Sequence, residues 1–292
     1  MTDELSYYTT HGSLSNPGRY AGLFDHLPDG ISELCGVIQG VMIHAHWAER
    51  YGLPKEQIRG DEVQLRTLEK RLERIMELDP RPLTQPRPPE RRVVGNCCDY
   101  AQMLAAILRH GGIPARSRCG FGRYFTPGHY EDHWVTQYWN AIRHRWVWVD
   151  PQIDPKQRQL LSLDWDPVDM PCDQFVTGGR AWQLGRSGAA DPDRFGIFDI
   201  HGLWFIRGNL IRDVAALNRL DLLPWDCWGW MDMPIEEHTA EQLTLLDRAA
   251  ALTSGEVLEF ETLRKLYTNE PGLRVPARIT SYVNGQPLQV RL

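Results

Sequence analysis

Apolar residues recur at helical spacing in two stretches of the N-terminal part of the chain. In the first, residues 29–50, the apolar positions are Ile31, Leu34, Cys35, Ile38, Val41, Met42 and Ala45. In the second, residues 61–78, they are Val63, Leu65, Leu68, Leu72 and Ile75, with charged residues between them. A period of three to four residues is typical of amphipathic helices. The pattern predicts two helices, the first ended by Gly52 and Pro54 and the second by Pro80.

A proline-rich linker between residues 80 and 89 leads to a third predicted helix. Asn96 is a good N-cap for this helix, and Asp99 stands at its third position, close to a capping box. The helix begins at Cys97 and continues to about residue 110, where two consecutive glycines stop it. Alternating apolar and polar residues then predict strands at 117–125, 133–138 and 145–149, with a loop at 128–132 before the second strand.

The pattern weakens beyond residue 155. Helices are predicted at 209–220, 237–252 and 257–267, while residues 180–184 are short and mixed in character. Two aromatic stretches, 195–207 and 225–230, lie between them. We find no internal repeat and no convincing linker, so a single domain over residues 1–292 is expected. Its parts are a helical N-terminal part (19–80), a central part (about 93–155) and a Trp-rich C-terminal part (156–292).

The composition is that of an ordinary globular protein, with 292 residues of which 42% are hydrophobic and 24% charged. The net charge of -6 does not favour a nucleic-acid partner, because such proteins usually carry a basic face. No apolar run approaches the roughly 20 residues that cross a membrane, and the N-terminus has no basic segment followed by an apolar one. We therefore expect no membrane association, no signal peptide and a cytoplasmic location. The oligomeric state is left open.

The six cysteines are too sparse for a disulfide framework. Metal-binding spacings such as C-x-x-C are absent, and we expect neither a metal nor another cofactor. A zinc site would have to combine Cys97, Cys98, His129 and His133, which is a weaker alternative.

Three short segments carry the residue types of a thiol-based catalytic set. They are Gly95-Asn96-Cys97-Cys98-Asp99-Tyr100-Ala101, His133-Trp134-Val135 and Trp148-Val149-Asp150-Pro151. A cysteine in the first turn of a helix is activated by the helix dipole and by free backbone amides, which can also stabilise an oxyanion. A histidine can act as its general base, and a carboxylate can orient that histidine. Cys97, His133 and Asp150 are thus the candidate catalytic residues.

Each of these three positions has a rival. Cys98 competes with Cys97 but suits a half-buried packing role, and His129 competes with His133 from a glycine-containing loop. Asp132 and Asp154 are weaker alternatives to Asp150, whose Asp-Pro pair can also simply end a strand. A second oxyanion donor is required, and Gln39 and Asn96 are both candidates.

The same segments, together with L-x-x-x-L-R-H-x-G-I-P-A-R after the cysteine, resemble the catalytic core of the transglutaminase-like superfamily. The resemblance covers about residues 93–153. It implies a papain-like α+β fold, in which a helix packs on an antiparallel sheet, with added helices at both ends. It also implies that Cys97 is the nucleophile, His133 the base and Asp150 the residue that orients the base.

The chain departs from animal transglutaminases in two respects. Cys98 stands where those enzymes usually carry Trp, and no calcium-loop motif is found. The resemblance is therefore to the bacterial branch, which includes proteases, amidases and amide-forming enzymes, and it implies no calcium dependence.

The Trp-rich C-terminal part either packs in the core or folds over Cys97 as an apolar pocket. In the second case the candidate substrate-binding residues are Trp134, His201, Trp204, Arg207 and Trp228. Asp226 is a further candidate for recognising a polar substrate.

The sequence therefore predicts a thiol-dependent acyl-transfer enzyme that acts on an amide or ester of a small molecule or peptide. The acyl acceptor is either water or an amine. The alternative is a non-catalytic binding or scaffold protein that retains the fold.

Overall fold

The computed structural model describes residues 2–255, 258–283 and 285–292. The chain divides into two compact units. The first contains the residues up to Ser117 and residues 135–170, and the second contains residues 118–134 and 171–292. The chain passes between the units three times, twice within a strand and once between residues 170 and 171. The single domain expected over 1–292 stays a prediction.

In its described part, the first unit combines five α-helices with short strands. The helices are α1 (Asp3–Tyr7), α2 (Ile31–Val41), α3 (Leu68–Leu78), α4 (Cys97–His110) and α5 (Pro155–Leu160). The strands are β1 (Met42–His44), β2 (Val93–Gly95), the start of β3 (Ala115–Gly122), most of β4 (Tyr130–Asn140) and β5 (Arg145–Val149). Strand β1 pairs with β2 in parallel, and β4 pairs with β5 antiparallel from Thr136↔Val149 to Asn140↔Arg145.

The core of this unit lies between α2, α3, α4 and strand β5. Its buried side chains include Leu34, Ile38, Leu72, Leu104, Val147 and Val149. Helix α4 packs on the strands, and the hydroxyl of Thr136 in β4 donates to the backbone carbonyl of Ala101 in α4 at 3.0 Å. The predicted α+β fold, a helix on an antiparallel sheet, is confirmed.

The prediction for the first helix was wrong at its C-terminal end. Helix α2 ends at Val41 rather than near residue 50, because Met42 leaves the helix and pairs with Val93. Met42 and Ile43 are buried, so their apolar pattern fits a strand as well as a helix. The second helix is also shorter than predicted. It begins at Leu68, after Thr67 whose hydroxyl accepts from the backbone N–H of Lys70.

Among the residues that the structure describes, the second unit contains four α-helices and two groups of strands. The helices are α6 (Gly178–Arg186), α7 (Leu203–Leu217), α8 (Ala240–Ser254) and α9 (Phe260–Asn269). The strands are β6 (Phe175–Thr177), β7 (Phe195–Ile197), β8 (Ile200–His201), β9 (Asp226–Cys227), β10 (Arg278–Val283) and β11 (Gln286–Arg291). Strand β6 pairs with residues 120–122 of β3, and β7 pairs with the first residues of β4 and with β8. Strands β9, β10 and β11 form an antiparallel sheet.

Several element boundaries in this unit differ from the sequence prediction. Strand β4 begins at Tyr130 instead of residue 133, since Tyr130 pairs with Phe195 far along the chain. Helix α7 begins at Leu203, six residues before the predicted start, and residues 180–184 lie within α6. The predicted start of the last helix, Val257, lies outside the described residues. No helix among the described residues is long and apolar enough to cross a membrane.

Candidate active site

Cys97 is the first residue of α4 and is buried, with 7% of its surface exposed. The side-chain oxygen of Asn96 accepts from the backbone N–H groups of Cys98 at 2.9 Å and Asp99 at 3.4 Å. The Asp99 carboxylate in turn accepts from the backbone N–H of Asn96 at 2.9 Å. The predicted capping box is therefore complete, and it fixes the backbone on both sides of Cys97.

A buried ion pair holds the same turn from the side. The Asp99 carboxylate pairs with the Arg71 guanidinium, and both side chains are at most 2% exposed. Arg71 also donates to the Gln102 side chain at 2.7 Å. Burial raises the pKa of Asp99, while the positive charge of Arg71 acts in the opposite direction. The first turn of α4 is thus anchored to α3.

Gly95 allows this close packing before the helix. A Cβ atom at this position would lie 2.9 Å from a carboxylate oxygen of Asp99 and 2.9 Å from the methyl carbon of Met42. Both distances are shorter than normal contacts, so a side chain at residue 95 would displace the cap.

Asp150 follows directly after β5 and is fully buried in the first unit. Its backbone N–H donates to the carbonyl of Pro167 at 2.8 Å, and its carboxylate accepts from the backbone N–H of Gln152 at 3.0 Å. Burial, and next the negative charge of Asp150, raise the pKa of the Cys35 thiol in α2. The carboxylate is therefore held rigidly among buried groups.

A short series of contacts connects α4 with the end of β5. Ala101 lies one helical turn after Cys97 and accepts from Thr136, and Thr136 pairs with Val149, the neighbour of Asp150. The first unit thus brings the helix of Cys97 and the strand preceding Asp150 together on β4.

His133 belongs to the second unit and lies in β4, three residues before Thr136. The imidazole is 2% exposed and packs edge-on against two aromatic rings, Tyr124 at 5.9 Å and Phe125 at 4.8 Å between centroids. Strand alternation places His133 on the same face of β4 as Glu131 and on the opposite face from Trp134. The imidazole thus lies in a buried, largely aromatic environment.

The alternative candidates for the three catalytic positions lie in different environments. His129 is exposed. Asp132 is buried, accepts from the Asn209 amide at 2.7 Å and lies on the face of β4 opposite to His133. Asp154 caps α5 and accepts from the Tyr51 hydroxyl at 2.7 Å. Cys98 is buried, one position further around the helix.

The two candidates for the second oxyanion donor differ in their hydrogen bonds. The Gln39 amide donates to the carbonyls of Pro151 at 3.0 Å and Ile153 at 3.3 Å. The Asn96 side-chain nitrogen is buried and has no hydrogen-bond partner among the described residues. Asn96 therefore keeps a donor beside Cys97, whereas the donor of Gln39 is in use.

The candidate substrate-binding residues divide into buried and exposed ones. Trp134 is fully buried. The buried indole of Trp228 donates to the carbonyl of Leu273 at 3.0 Å. Arg207 donates to the carbonyls of Met233 at 2.8 Å and Met231 at 3.1 Å, and burial lowers its pKa to about 10. These three side chains pack in the interior.

His201 and Trp204 are exposed instead. His201 lines a cavity of about 420 Å³ in the second unit. The cavity is also lined by His129, Glu131, Asp193, Ile197 and Phe198. The sequence analysis missed the last four, because they come from segments about sixty residues apart that meet only when β7 pairs with β4.

Groups of three or more His, Cys, Asp or Glu side chains that could hold a metal ion do not occur in the part of the chain that the structure describes. The set Cys97, Cys98, His129 and His133 therefore forms no such group.

Comparisons with known proteins agree with the residue pattern around Cys97. The family model of the transglutaminase-like superfamily matches residues 63–151, which include Cys97, His133 and Asp150. A solved structure from Cytophaga hutchinsonii, described as a candidate cysteine protease, is similar with a TM-score of 0.38 and 12% identity. That match covers 61% of this chain and 46% of the other, so the chain spans less than half of the solved one. No curated protein matches the sequence. Residues 63–151 of this chain are thus similar to the core of the transglutaminase-like superfamily.

Proposed function

We propose that the protein is a thiol-dependent acyl-transfer enzyme that acts on an amide or ester of a small molecule or peptide. Cys97 would form a thioester with the acyl group, which is then transferred to water or to an amine. The observation that carries this proposal is the position of Cys97 as the first residue of a fully capped helix inside a transglutaminase-like core.

In the first half-reaction, His133 takes the proton of the Cys97 thiol, and the thiolate attacks the carbonyl carbon of the substrate. A C–S bond forms and an oxyanion develops. The oxyanion then collapses, the bond to the leaving nitrogen or oxygen breaks, and His133 returns the proton to the leaving group. The products are a thioester on Cys97 and a free amine or alcohol.

In the second half-reaction, water or an amine attacks the thioester carbon. His133 removes one proton from the attacking atom, the C–S bond breaks, and the proton returns to the thiolate. Asp150 is the residue that orients the imidazole. Two findings support this role. Asp150 is fixed by backbone hydrogen bonds directly after β5, and β5 pairs with the strand that carries His133.

The oxyanion needs two donors. We assign them to the backbone N–H of Cys97 and to the side-chain nitrogen of Asn96. A buried N–H group without a partner costs free energy unless it acquires an acceptor. A transient oxyanion would supply that acceptor at the moment when the charge develops, which is the condition for stabilising the transition state more than the substrate.

Trapping of the acyl-enzyme tests the proposal. The wild type and Cys97→Ala would be treated with p-nitrophenyl acetate, a small activated ester, and analysed by intact-protein mass spectrometry and peptide mapping. We expect an acetyl group on Cys97 that hydroxylamine removes, together with a burst of nitrophenolate that is absent in Cys97→Ala. His133→Ala should form the acetyl-enzyme much more slowly. Equal labelling of several cysteines, unchanged in His133→Ala, would contradict the proposal.

A further inference from the structure

The cavity of about 420 Å³ in the second unit has the size of a small-molecule site. One wall is the segment that leads into β4, with Thr126, His129 and Glu131. The other wall is the hairpin of β7 and β8 with the residues before it. The cavity is formed within one unit, so its shape is set by elements that pack directly on each other.

The lining carries more negative than positive charge. Two carboxylates, Glu131 and Asp193, face one guanidinium, Arg194. Asp193 contacts His201 at 3.2 Å. Arg194 donates to the carbonyl of Gly128 at 2.6 Å and lies over the ring of Tyr130. Asp193 therefore has an imidazole beside it, whereas the Glu131 carboxylate accepts from a neutral hydroxyl, that of Thr126, which leaves its charge available to a cationic ligand.

Glu131 is partly withdrawn from solvent, and the Thr126 hydroxyl donates to its carboxylate at 3.1 Å. Burial raises the pKa of this carboxyl, so its charged form gains from a positive partner. Glu131 and His133 lie on the same face of β4, and two residues of a strand span about 7 Å. Glu131 in the wall of the cavity thus lies two residues along β4 from the imidazole that we propose as the catalytic base.

Phe198 supplies an aromatic surface at the other wall. It is the first residue of a two-residue hairpin loop, since Ile197 pairs with Ile200. Its φ is +53°, a left-handed conformation that bulky residues rarely adopt, and such hairpin positions usually carry Asn, Asp or Gly. The side chain is nevertheless 76% exposed. Most of the Phe198 ring is therefore accessible to a ligand bound in the cavity.

We propose that this cavity binds a protonated primary amine attached to an apolar group. The ammonium group would bind to the Glu131 carboxylate, and the apolar group would pack against Phe198 and Ile197. A carboxylate and an aromatic face both attract an organic cation. The site rests on the geometry of the second unit alone. Its role in turnover rests on the proposed function.

Binding of three matched probes tests the site. Isothermal titration would compare 2-phenylethylamine, 2-phenylethanol and 3-phenylpropionate on Cys97→Ala protein, in which no thioester can form. We expect the amine to bind at least about tenfold more tightly than the alcohol or the carboxylate, as for one charge-assisted hydrogen bond. Glu131→Gln should remove this preference. Asp199→Asn removes a carboxylate from the same hairpin that does not line the cavity, and it should leave the preference intact.

A second variant separates ligand binding from backbone strain. Phe198→Asn keeps a residue that tolerates the left-handed conformation and removes the ring. We expect unchanged or higher thermal stability with about three- to tenfold weaker amine binding. Equal affinity for the three probes, or an amine affinity that neither Glu131→Gln nor Phe198→Asn reduces, would overturn the proposed site.

The ammonium group can belong to the acyl donor or to the acyl acceptor, and a kinetic experiment distinguishes the two. The amine would be added to the wild type during and after acetylation by p-nitrophenyl acetate. An amine on the donor side slows acetylation of Cys97. An amine on the acceptor side first loses its ammonium proton to solvent, and the neutral nitrogen then attacks the thioester. It accelerates loss of the acetyl group and yields N-acetyl-2-phenylethylamine with the Cys97 thiol restored. Both outcomes require the site, and each should disappear in Glu131→Gln. Failure of acetylation with intact amine binding in Cys97→Ala would count against the proposed function and not against the site.

Discussion

The side-chain oxygen of Asn96 accepts a hydrogen bond from the backbone N–H of Cys98 at 2.9 Å. The nitrogen of the same amide is buried and has no hydrogen-bond partner among the described residues. One side chain thus caps the helix and retains a donor next to the candidate nucleophile. The two halves of the amide can be separated by mutation, because Asp and Ser are also good N-caps but lack the amide donor.

Asn96→Asp and Asn96→Ser should therefore fold normally and react slowly. Loss of one oxyanion donor reduces turnover by about 10²- to 10³-fold in enzymes where it has been removed. We expect a loss of that size in the acetylation rate of both variants. The free energy of unfolding of Asn96→Ser should lie within about 1 kcal/mol of the wild type, whereas Asn96→Asp adds a buried charge and should be less stable than Asn96→Ser. Ser controls for the negative charge that Asp adds.

The matched control is Thr239→Asp at the N-cap of α8, which has the same kind of capping box. This variant should retain the wild-type acetylation rate. If Asn96→Asp and Asn96→Ser react as fast as the wild type, Asn96 does not donate to the oxyanion and serves only as the N-cap of α4.

The ion pair between Arg71 and Asp99 predicts a large loss of stability when one partner is removed. In Arg71→Met a buried carboxylate keeps its cost of burial without its counter-ion, which typically costs about 3–5 kcal/mol. Urea unfolding of Arg71→Met measures the loss. The exposed pair of Arg19 and Glu73 gives the comparison, and Arg19→Met should lose much less stability because water and salt screen exposed charges. Similar losses in the two variants would show that the buried pair does not anchor the first turn of α4.

Two glycine substitutions with opposite expected signs test the packing before Cys97. In Gly95→Ala the added methyl group meets Asp99 and Met42, and such overpacking typically costs about 1–3 kcal/mol. In Gly36→Ala, within α2, the Cβ meets no atom within 4 Å, so the helix should gain about 0.5–1 kcal/mol. Thermal unfolding of both variants measures the difference. If Gly95→Ala is more stable than the wild type, the side chains of Asp99 and Met42 do not pack against residue 95 as closely as the structure shows.

Helix α4 could be predicted almost to the residue because its signals are local. Asn96, Asp99 and the two glycines after His110 determine its ends through contacts within a few positions. Strand β1 could not be predicted in the same way. Its partner Val93 lies some fifty residues further along the chain, and only that pairing decides where α2 stops.

In the candidate site, too, some features follow from local sequence and others depend on distant contacts. The nucleophile and its cap follow from a short motif, whereas burial of Trp134, Arg207 and Trp228 depends on distant contacts that composition does not reveal. The conformation of Phe198 is even harder to predict from sequence, because bulky residues rarely adopt the left-handed backbone that it has. The cavity that Phe198 lines is formed by residues 126–131 and 193–201 together, so no local sequence pattern predicts it.

We propose that Cys97 reacts as a thiolate that is activated by its helix and by His133. The most direct measurement is the rate of iodoacetamide alkylation of each cysteine as a function of pH, read by mass spectrometry, in the wild type and in His133→Ala. Cys35 is an internal reference for an unreactive thiol, because burial raises its pKa. We expect rapid labelling of Cys97 alone at about pH 6, lost in His133→Ala. Labelling of Cys97 that rises only near pH 8.5, as for an ordinary free thiol of about that pKa, and that is the same in both proteins would contradict the claim.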